Sequence, residues 1–149
     1  MLGILGESGP EGNDPMPRLD GLDALLDEVR AAGLPVELAV HGQARPLDPG
    51  LELSAYRIIQ EGLTNSLKYA RGGHALVTVQ YGPAALDISI DDVSGPGAAS
   101  VVEDPHEGRG LVGTRERVAM FRGTFSAEPT PTGFRVTAHL PIDEPVPAS

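Results

Sequence analysis

The chain has 149 residues, of which 40% are hydrophobic and 21% charged, a balance that suits one globular domain with a single core. Its formal net charge of −10 repels phosphate backbones, so we expect no nucleic acid partner. The lack of cysteine excludes disulfides and thiolate metal sites, and it agrees with a cytoplasmic location.

The two ends of the chain differ in composition from its middle. Residues 1–17 are rich in Gly, Pro, Asp and Glu and are typical of a linker, and residues 143–149 are typical of a flexible tail. We therefore expect the folded domain to span residues 18–142. No apolar run approaches the length of a membrane helix, so we expect no direct membrane contact by this domain, although a parent protein could be membrane-anchored.

The first half of the domain alternates helical and extended patterns. Leucines and a valine at helical spacing predict a helix over Leu19–Ala32, and a strand follows over Val36–His41. A longer helix is predicted over Glu52–Arg71. It ends at Gly72-Gly73, and the strands Ala75–Tyr81 and Ala85–Asp91 then form a hairpin around Gly82-Pro83.

The second half begins with an irregular segment, residues 93–109, which carries three glycines and two prolines. A helix is predicted over about Leu111–Phe121, followed by strands around Gly123–Ala127 and Phe134–Leu140. These elements predict an α+β fold, a two-layer sandwich in which a mixed sheet of about five strands is covered on one face by three helices.

The long helix carries a polar stripe formed by Glu61, Asn65, Lys68 and Tyr69. Such a stripe is ordinarily a solvated face, but Ile58 falls within it and favours a covered pocket. Glu61 and Asn65, one turn apart, offer the oxygen ligands that Mg²⁺ prefers, and Lys68 could neutralise phosphate. The stripe is compatible with a magnesium–nucleotide site.

Two glycine-containing segments could complete such a site. The first reads Asp91-Asp92-Val93-Ser94-Gly95-Pro96-Gly97, and a carboxylate there could accept a hydrogen bond from an adenine amino group. The second, Gly108-Arg109-Gly110-Leu111, opens into a helix, where backbone amides can approach a phosphate. Taken alone, the first segment is typical of a turn between a strand and a loop, and the second is typical of a glycine-rich helix start.

Together these segments resemble the Bergerat-fold (GHKL) ATPases. The likeness is closest to sensor histidine kinases of the nitrate- and lipid-fluidity-sensing subfamily, of actinobacterial type. The N-box of that subfamily is similar to AYRIIQEGLTNSLKYA (Ala55–Ala70). Its second glycine box with the following helix is similar to GRGLVGTRERVAMFRGTF (Gly108–Phe125), and its closing strand to GFRVTAHLP (Gly133–Pro141). The likeness covers Leu51–Pro141 closely and Val29–Leu47 more loosely.

The resemblance implies an ATP-binding catalytic domain that transfers the γ-phosphate of ATP to a histidine on a separate dimerisation helix in two-component signalling. A response regulator then acts downstream. By position, Glu61 is the catalytic acidic residue and Asn65 the Mg²⁺ ligand, while Asp91 binds adenine. The remaining ATP-binding positions that the resemblance implies are Lys68, Tyr69, Gly95, Gly108, Arg109, Gly110 and Leu111, with Gly108 and Gly110 as hinges of a lid over the phosphates.

The chain departs from the family pattern at two positions. Val93 stands where the first glycine box has its first glycine, which would restrict the backbone if that position needed a positive φ. Arg109 stands where the subfamily often has histidine. We expect nucleotide binding to survive both changes.

None of the four histidines has the Glu-Leu-His-Asp surroundings of the family's phospho-acceptor, so we expect the acceptor to lie outside this chain. We expect His41, His74, His106 and His139 to be surface residues. Residues 1–17 could then include the stub of the dimerisation helix. Two alternatives stay open, namely a non-catalytic pseudokinase or anti-sigma-type regulatory module of the same fold, and an anti-sigma-type serine kinase.

Overall fold

The computed structural model describes residues 17–70, 72–95 and 111–142. Its helices are α1 (Leu22–Ala31), which follows a 3₁₀ turn at Leu19–Gly21, α2 (Pro49–Tyr69) and α3 (Val112–Met120). Its strands are β1 (Val36–Gly42), β2 (His74–Tyr81), β3 (Ala85–Val93), β4 (Thr124–Pro129) and β5 (Gly133–Pro141). Every predicted element is present, and the differences lie at the ends.

The long helix α2 begins at Pro49 rather than at Glu52, because Asp48 caps it. The Asp48 carboxylate accepts hydrogen bonds from the backbone N–H groups of Gly50 (3.1 Å) and Leu51 (3.3 Å), and Pro49 occupies the first helical position. The helix ends at Tyr69.

The five strands form one mixed sheet in the order β1-β2-β3-β5-β4. Strands β1 and β2 run parallel, and the other neighbours are antiparallel, with Asp92 opposite Phe134 and Asp91 opposite Arg135 across β3 and β5. The β2–β3 hairpin is the one that the sequence predicts around Gly82-Pro83, and β4 and β5 form a second antiparallel pair. The central strand β3 therefore lies between two hydrogen-bonded neighbours.

The core lies between the helices and one face of the sheet, as expected for a two-layer sandwich. Alternate residues of the strands are buried on that face, and they pack in one cluster with apolar residues of α1 and α2. In β1 the predicted alternation weakens along the strand, since Val36 is buried but Val40 is 47% exposed. Strand β1 is an edge of the sheet, which explains why its far end is poorly covered.

The start of α2 is tied to two preceding segments by a buried carboxylate. Glu52 is 5% exposed and accepts hydrogen bonds from the backbone N–H groups of Leu19 (3.0 Å) and Leu47 (2.8 Å). Nε of Arg18 forms an ion pair with Oε1 of Glu52 at 3.9 Å, and the Arg18 side chain is the more exposed of the two. These contacts fix the 3₁₀ turn and the loop before α2 against that helix.

Across the described ranges, none of the helices has the length and apolar character needed to cross a bilayer.

Candidate active site

The site is built around the middle of α2, where the helix lies directly against β3. A Cβ atom at Gly62 would lie 3.0 Å from Cδ1 of Ile90, so the absence of a side chain allows this close approach. The approach brings the next helical turn, with Asn65 and Ser66, to the end of β3. There Asn65 is 8% and Ser66 1% exposed.

The carboxylate that meets this turn belongs to Asp92. In β3 the residues on the helix-covered face are Leu86, Ile88, Ile90 and Asp92, because side chains alternate along a strand. Asp92 is 3% exposed and accepts a hydrogen bond of 2.7 Å from the hydroxyl of Ser66. The site therefore contains a buried carboxylate that a neighbouring hydroxyl orients.

Asp91, for which the family resemblance predicts adenine binding, lies on the opposite face of the sheet. Its carboxylate accepts a hydrogen bond from Nε of Arg135 on β5. That hydrogen bond and the adjacent negative charge raise the pKa of the exposed Arg135 guanidinium. The structure therefore does not bring Asp91 together with the polar residues of α2.

The polar stripe of α2 is only partly solvated. Ile58 is fully buried and Asn65 nearly so, whereas Lys68 is exposed and Tyr69 is partly buried. Ile58 belongs to the hydrophobic core, so its burial reflects core packing, and the covered pocket stays a prediction. Within residues 17–70, 72–95 and 111–142, no group of three or more His, Asp and Glu side chains gathers in a way that could hold a metal ion.

Glu61 contacts α3 through both oxygens of its carboxylate, although its side chain is still partly exposed. One carboxylate oxygen accepts a hydrogen bond from the hydroxyl of Thr114, and the other accepts one of 3.0 Å from Nη2 of Arg117. Thr114 is 1% exposed. Thr114 and Arg117 are not among the residues predicted from sequence, since helical spacing places them on one face of α3 but cannot reveal their partner on α2.

The first glycine segment continues directly from β3. Val93 is the last residue of that strand, and among the described non-glycine residues a positive φ occurs at Arg122 alone. The restriction that we anticipated for Val93 therefore does not arise in this conformation. Gly95 is partly buried, and a Cβ atom at Gly73 would lie 1.6 Å from the carbonyl oxygen of Val93, so this position has no room for a side chain.

Most of the second glycine segment lies outside the residues that the structure describes. Gly108, Arg109 and Gly110 are not among the described residues, so their predicted contact with phosphate stays a prediction. Leu111 is buried at 2% exposure, immediately before α3.

Of the histidines, His41, His74 and His139 are exposed, as expected, and His106 lies outside the described ranges. His139 is 2.6 Å from Asp87, through Nδ1, on the uncovered face of the sheet.

Sequence comparison relates the chain to sensor kinases. It is 31% identical over 134 residues to the sensor histidine kinase YxjM of Bacillus subtilis, an alignment that covers 87% of this chain and 32% of the relative. The chain thus spans about a third of the length of this relative.

Two solved structures share the fold. The first is the blue-light activated histidine kinase of Erythrobacter litoralis, with a TM-score of 0.63 and 18% identity over an alignment that covers 85% of this chain and 45% of that chain. The second is the catalytic domain of the histidine kinase ThkA, with a TM-score of 0.59 and 14% identity over an alignment that covers 81% of this chain and 92% of that chain.

The family model for histidine kinase-, DNA gyrase B- and HSP90-like ATPases matches residues 50–144, a range that includes α2 from its second residue onward, all strands from β2 to β5, and α3. Because this match covers more than half of the chain, the chain belongs to the family of histidine kinase-, DNA gyrase B- and HSP90-like ATPases.

Proposed function

We propose that this chain is the ATP-binding catalytic domain of a sensor histidine kinase of the nitrate- and lipid-fluidity-sensing subfamily. Membership of the ATPase family supports ATP as the substrate, and the relative YxjM is itself a sensor histidine kinase. The structural observation that carries the proposal is the buried Asp92 carboxylate between β3 and α2. The phospho-accepting histidine is supplied by a dimerisation hairpin of the parent kinase, and a response regulator acts downstream.

In this proposal Asp92, and not Asp91, recognises the adenine ring. An ionised carboxylate only accepts hydrogen bonds, so it selects the adenine amino group over the carbonyl oxygen of guanine. Its burial excludes competing water, and the Ser66 hydroxyl orients it. Asp91 faces away from α2 and is engaged by Arg135, and we therefore assign it no contact with the nucleotide.

Asn65 is the residue that suits the magnesium ion of the nucleotide. Its side chain lies one helical turn from Glu61, and Mg²⁺ commonly takes only one or two protein oxygens beside water and phosphate. Magnesium, when bound, would neutralise charge on the phosphates. Lys68 at the exposed end of the stripe would add positive charge, Tyr69 would contact the nucleotide, and the backbone of Gly108 to Leu111 would donate to phosphate oxygens.

The transfer forms a bond between the γ-phosphorus and a nitrogen of the acceptor imidazole. It breaks the bond from that phosphorus to the bridging oxygen, whose electron pair leaves with ADP. Catalysis of this kind consists mainly of positioning and charge stabilisation. Glu61 would orient and polarise the imidazole by accepting a hydrogen bond from its N–H group.

The adenine assignment is tested by a matched pair of variants, Asp92→Asn and Asp91→Asn. Both keep the side-chain shape, and the amide introduced by Asp92→Asn still offers a carbonyl oxygen to the Ser66 hydroxyl. We expect Asp92→Asn to weaken binding of a fluorescent magnesium–ATP analogue about tenfold to a hundredfold, the usual effect of losing a hydrogen bond to a charged group. Asp91→Asn should bind as the unmodified chain does. The opposite ranking would overturn the assignment, and no binding at millimolar ligand would overturn the ATP site itself.

The kinase assignment is tested by supplying the acceptor hairpin with labelled ATP. A histidine kinase gives an acid-labile phosphoryl product, whereas a serine kinase gives an acid-stable one and a pure binding module gives none. We expect an acid-labile label that Asn65→Ala abolishes. Transfer at the unmodified rate by Asn65→Ala would refute the magnesium role.

A further inference from the structure

The carboxylate of Glu61 is held at both oxygens by one helix. Thr114 donates to one oxygen and Arg117 to the other, and these two donors lie three residues apart on α3. We propose that Thr114 and Arg117 are positioning residues, which fix the orientation of the Glu61 carboxylate toward the incoming acceptor imidazole. This inference rests on the proposed function and extends it to two residues of α3.

The contact geometry suits orientation. A carboxylate that accepts one hydrogen bond at each oxygen can neither rotate nor change rotamer freely, whereas a glutamate on an exposed helix face samples many rotamers. Because Thr114 is 1% exposed, its hydroxyl is shielded from exchange with solvent. Each carboxylate oxygen can accept a second hydrogen bond, so Glu61 keeps acceptor capacity for an imidazole N–H.

The same geometry is poorly suited to stabilising the fold. The Glu61 and Arg117 side chains are 38% and 30% exposed, and ion pairs at such exposure contribute little to stability. Nε of Arg117 is buried and has no hydrogen-bond partner among the described residues, which adds a desolvation cost. Loss of Arg117 should therefore disturb Glu61 more than it disturbs folding.

Helix α3 also connects two parts of the proposed site. It begins at Val112, directly after the segment Gly108–Leu111 that we assign to the phosphates. Its residues Thr114 and Arg117 then meet Glu61 across 53 and 56 positions of sequence. The phosphate-binding segment and the catalytic carboxylate are thus linked through one short helix.

The experiment measures single-turnover transfer from saturating magnesium–ATP to the acceptor hairpin, together with the dissociation constant of a fluorescent ATP analogue. We expect Arg117→Gln to lower the transfer rate constant about tenfold or more, as for loss of a charged hydrogen bond, with nucleotide affinity unchanged. Thr114→Val, which keeps the side-chain shape, should lower the rate constant by a smaller factor. Arg117→Lys should recover part of the loss, because it restores the charge.

A double-mutant cycle identifies Glu61 as the residue through which Arg117 acts. If Arg117 only orients Glu61, the variant Glu61→Gln/Arg117→Gln should transfer no more slowly than Glu61→Gln alone. Arg115→Gln is the matched control, since Arg115 is an exposed arginine on the same helix and should leave the rate constant unchanged.

Two results would overturn the inference, namely full transfer rates in both Arg117→Gln and Thr114→Val, or a double variant slowed by the product of the two single effects. If the unmodified chain labels no histidine at all, the proposed function fails and the inference falls with it. A chain that transfers normally but ignores the loss of Arg117 and Thr114 refutes the inference alone.

Discussion

The buried Glu52 carboxylate offers a quantitative test of how the domain is held together. Replacing it by alanine leaves the backbone N–H groups of Leu19 and Leu47 without their acceptor. Each buried donor that loses its partner costs about 1–3 kcal/mol, so the two together amount to about 2–6 kcal/mol. The ion pair with Arg18, at 3.9 Å and largely exposed on the arginine side, adds less than about 1 kcal/mol.

The assay is urea unfolding of Glu52→Ala followed by far-ultraviolet circular dichroism, with the free energy of unfolding extrapolated to water. Glu52→Gln should lose roughly half as much as Glu52→Ala, since its amide keeps one acceptor oxygen. Glu37→Ala, on an exposed position of β1, is the control and should change stability by less than about 0.5 kcal/mol. A loss below about 1 kcal/mol in Glu52→Ala would show that the two hydrogen bonds do not hold these segments.

Two further predictions concern the cap of α2 and the response to alkali. Asp48→Ala should lower the free energy of unfolding by about 1 kcal/mol, because Gly50 and Leu51 lose their capping acceptor; unchanged urea midpoints would contradict this. Burial raises the pKa of Tyr81 above its usual 10.0, so the folded chain retains the phenol proton where the unfolded chain releases it. Stability should therefore fall as pH rises above about 10, and Tyr81→Phe should reduce that fall in urea midpoints measured from pH 9 to 11.

Most of the fold follows from local sequence patterns. Alternating apolar residues over Ala85–Asp91 and Phe134–Leu140 predict the central strands, and helical spacing predicts α2 together with its polar stripe. The predicted start of α2 lies too late because the apolar pattern begins after Pro49, although the Asp48-Pro49 pair is itself a typical helix start. Local periodicity thus predicts the presence of a helix more accurately than the residue at which the helix begins.

The adjacent residues Asp91 and Asp92 show the limit of predicting site residues from a sequence motif. Extending the alternation of Leu86, Ile88 and Ile90 by one step places Asp92 on the covered face, and the side chains of neighbouring strand residues point in opposite directions. The motif resemblance instead favours Asp91, since it counts residues along the chain without regard to the face of the sheet. The observed strand extends two residues beyond the predicted end at Asp91, and the first of these residues, Asp92, is the carboxylate that reaches α2.

Contacts between distant segments could not be predicted at all. Nothing near Glu61 in sequence indicates that Thr114 and Arg117 lie beside it, because that contact depends on how α3 packs against α2. Likewise, the two N–H groups bound by Glu52 come from segments on either side of β1. Such contacts require the tertiary arrangement, and they include the ones on which the further inference depends.

The pairing of β3 with β5 has a consequence for how readily the chain could vary in length. Val93 is paired with Gly133, and just beyond that pair the N–H group of Ser94 donates to the carbonyl oxygen of Thr132 at 2.8 Å. The chain therefore leaves the β3–β5 ladder after Ser94 and returns to it at Thr132, at one hydrogen-bonded end of the ladder. Changes in chain length within residues 96–110 should therefore leave the register of β3 against β5 unaltered, and with it the position of Asp92 on the helix-covered face of the sheet.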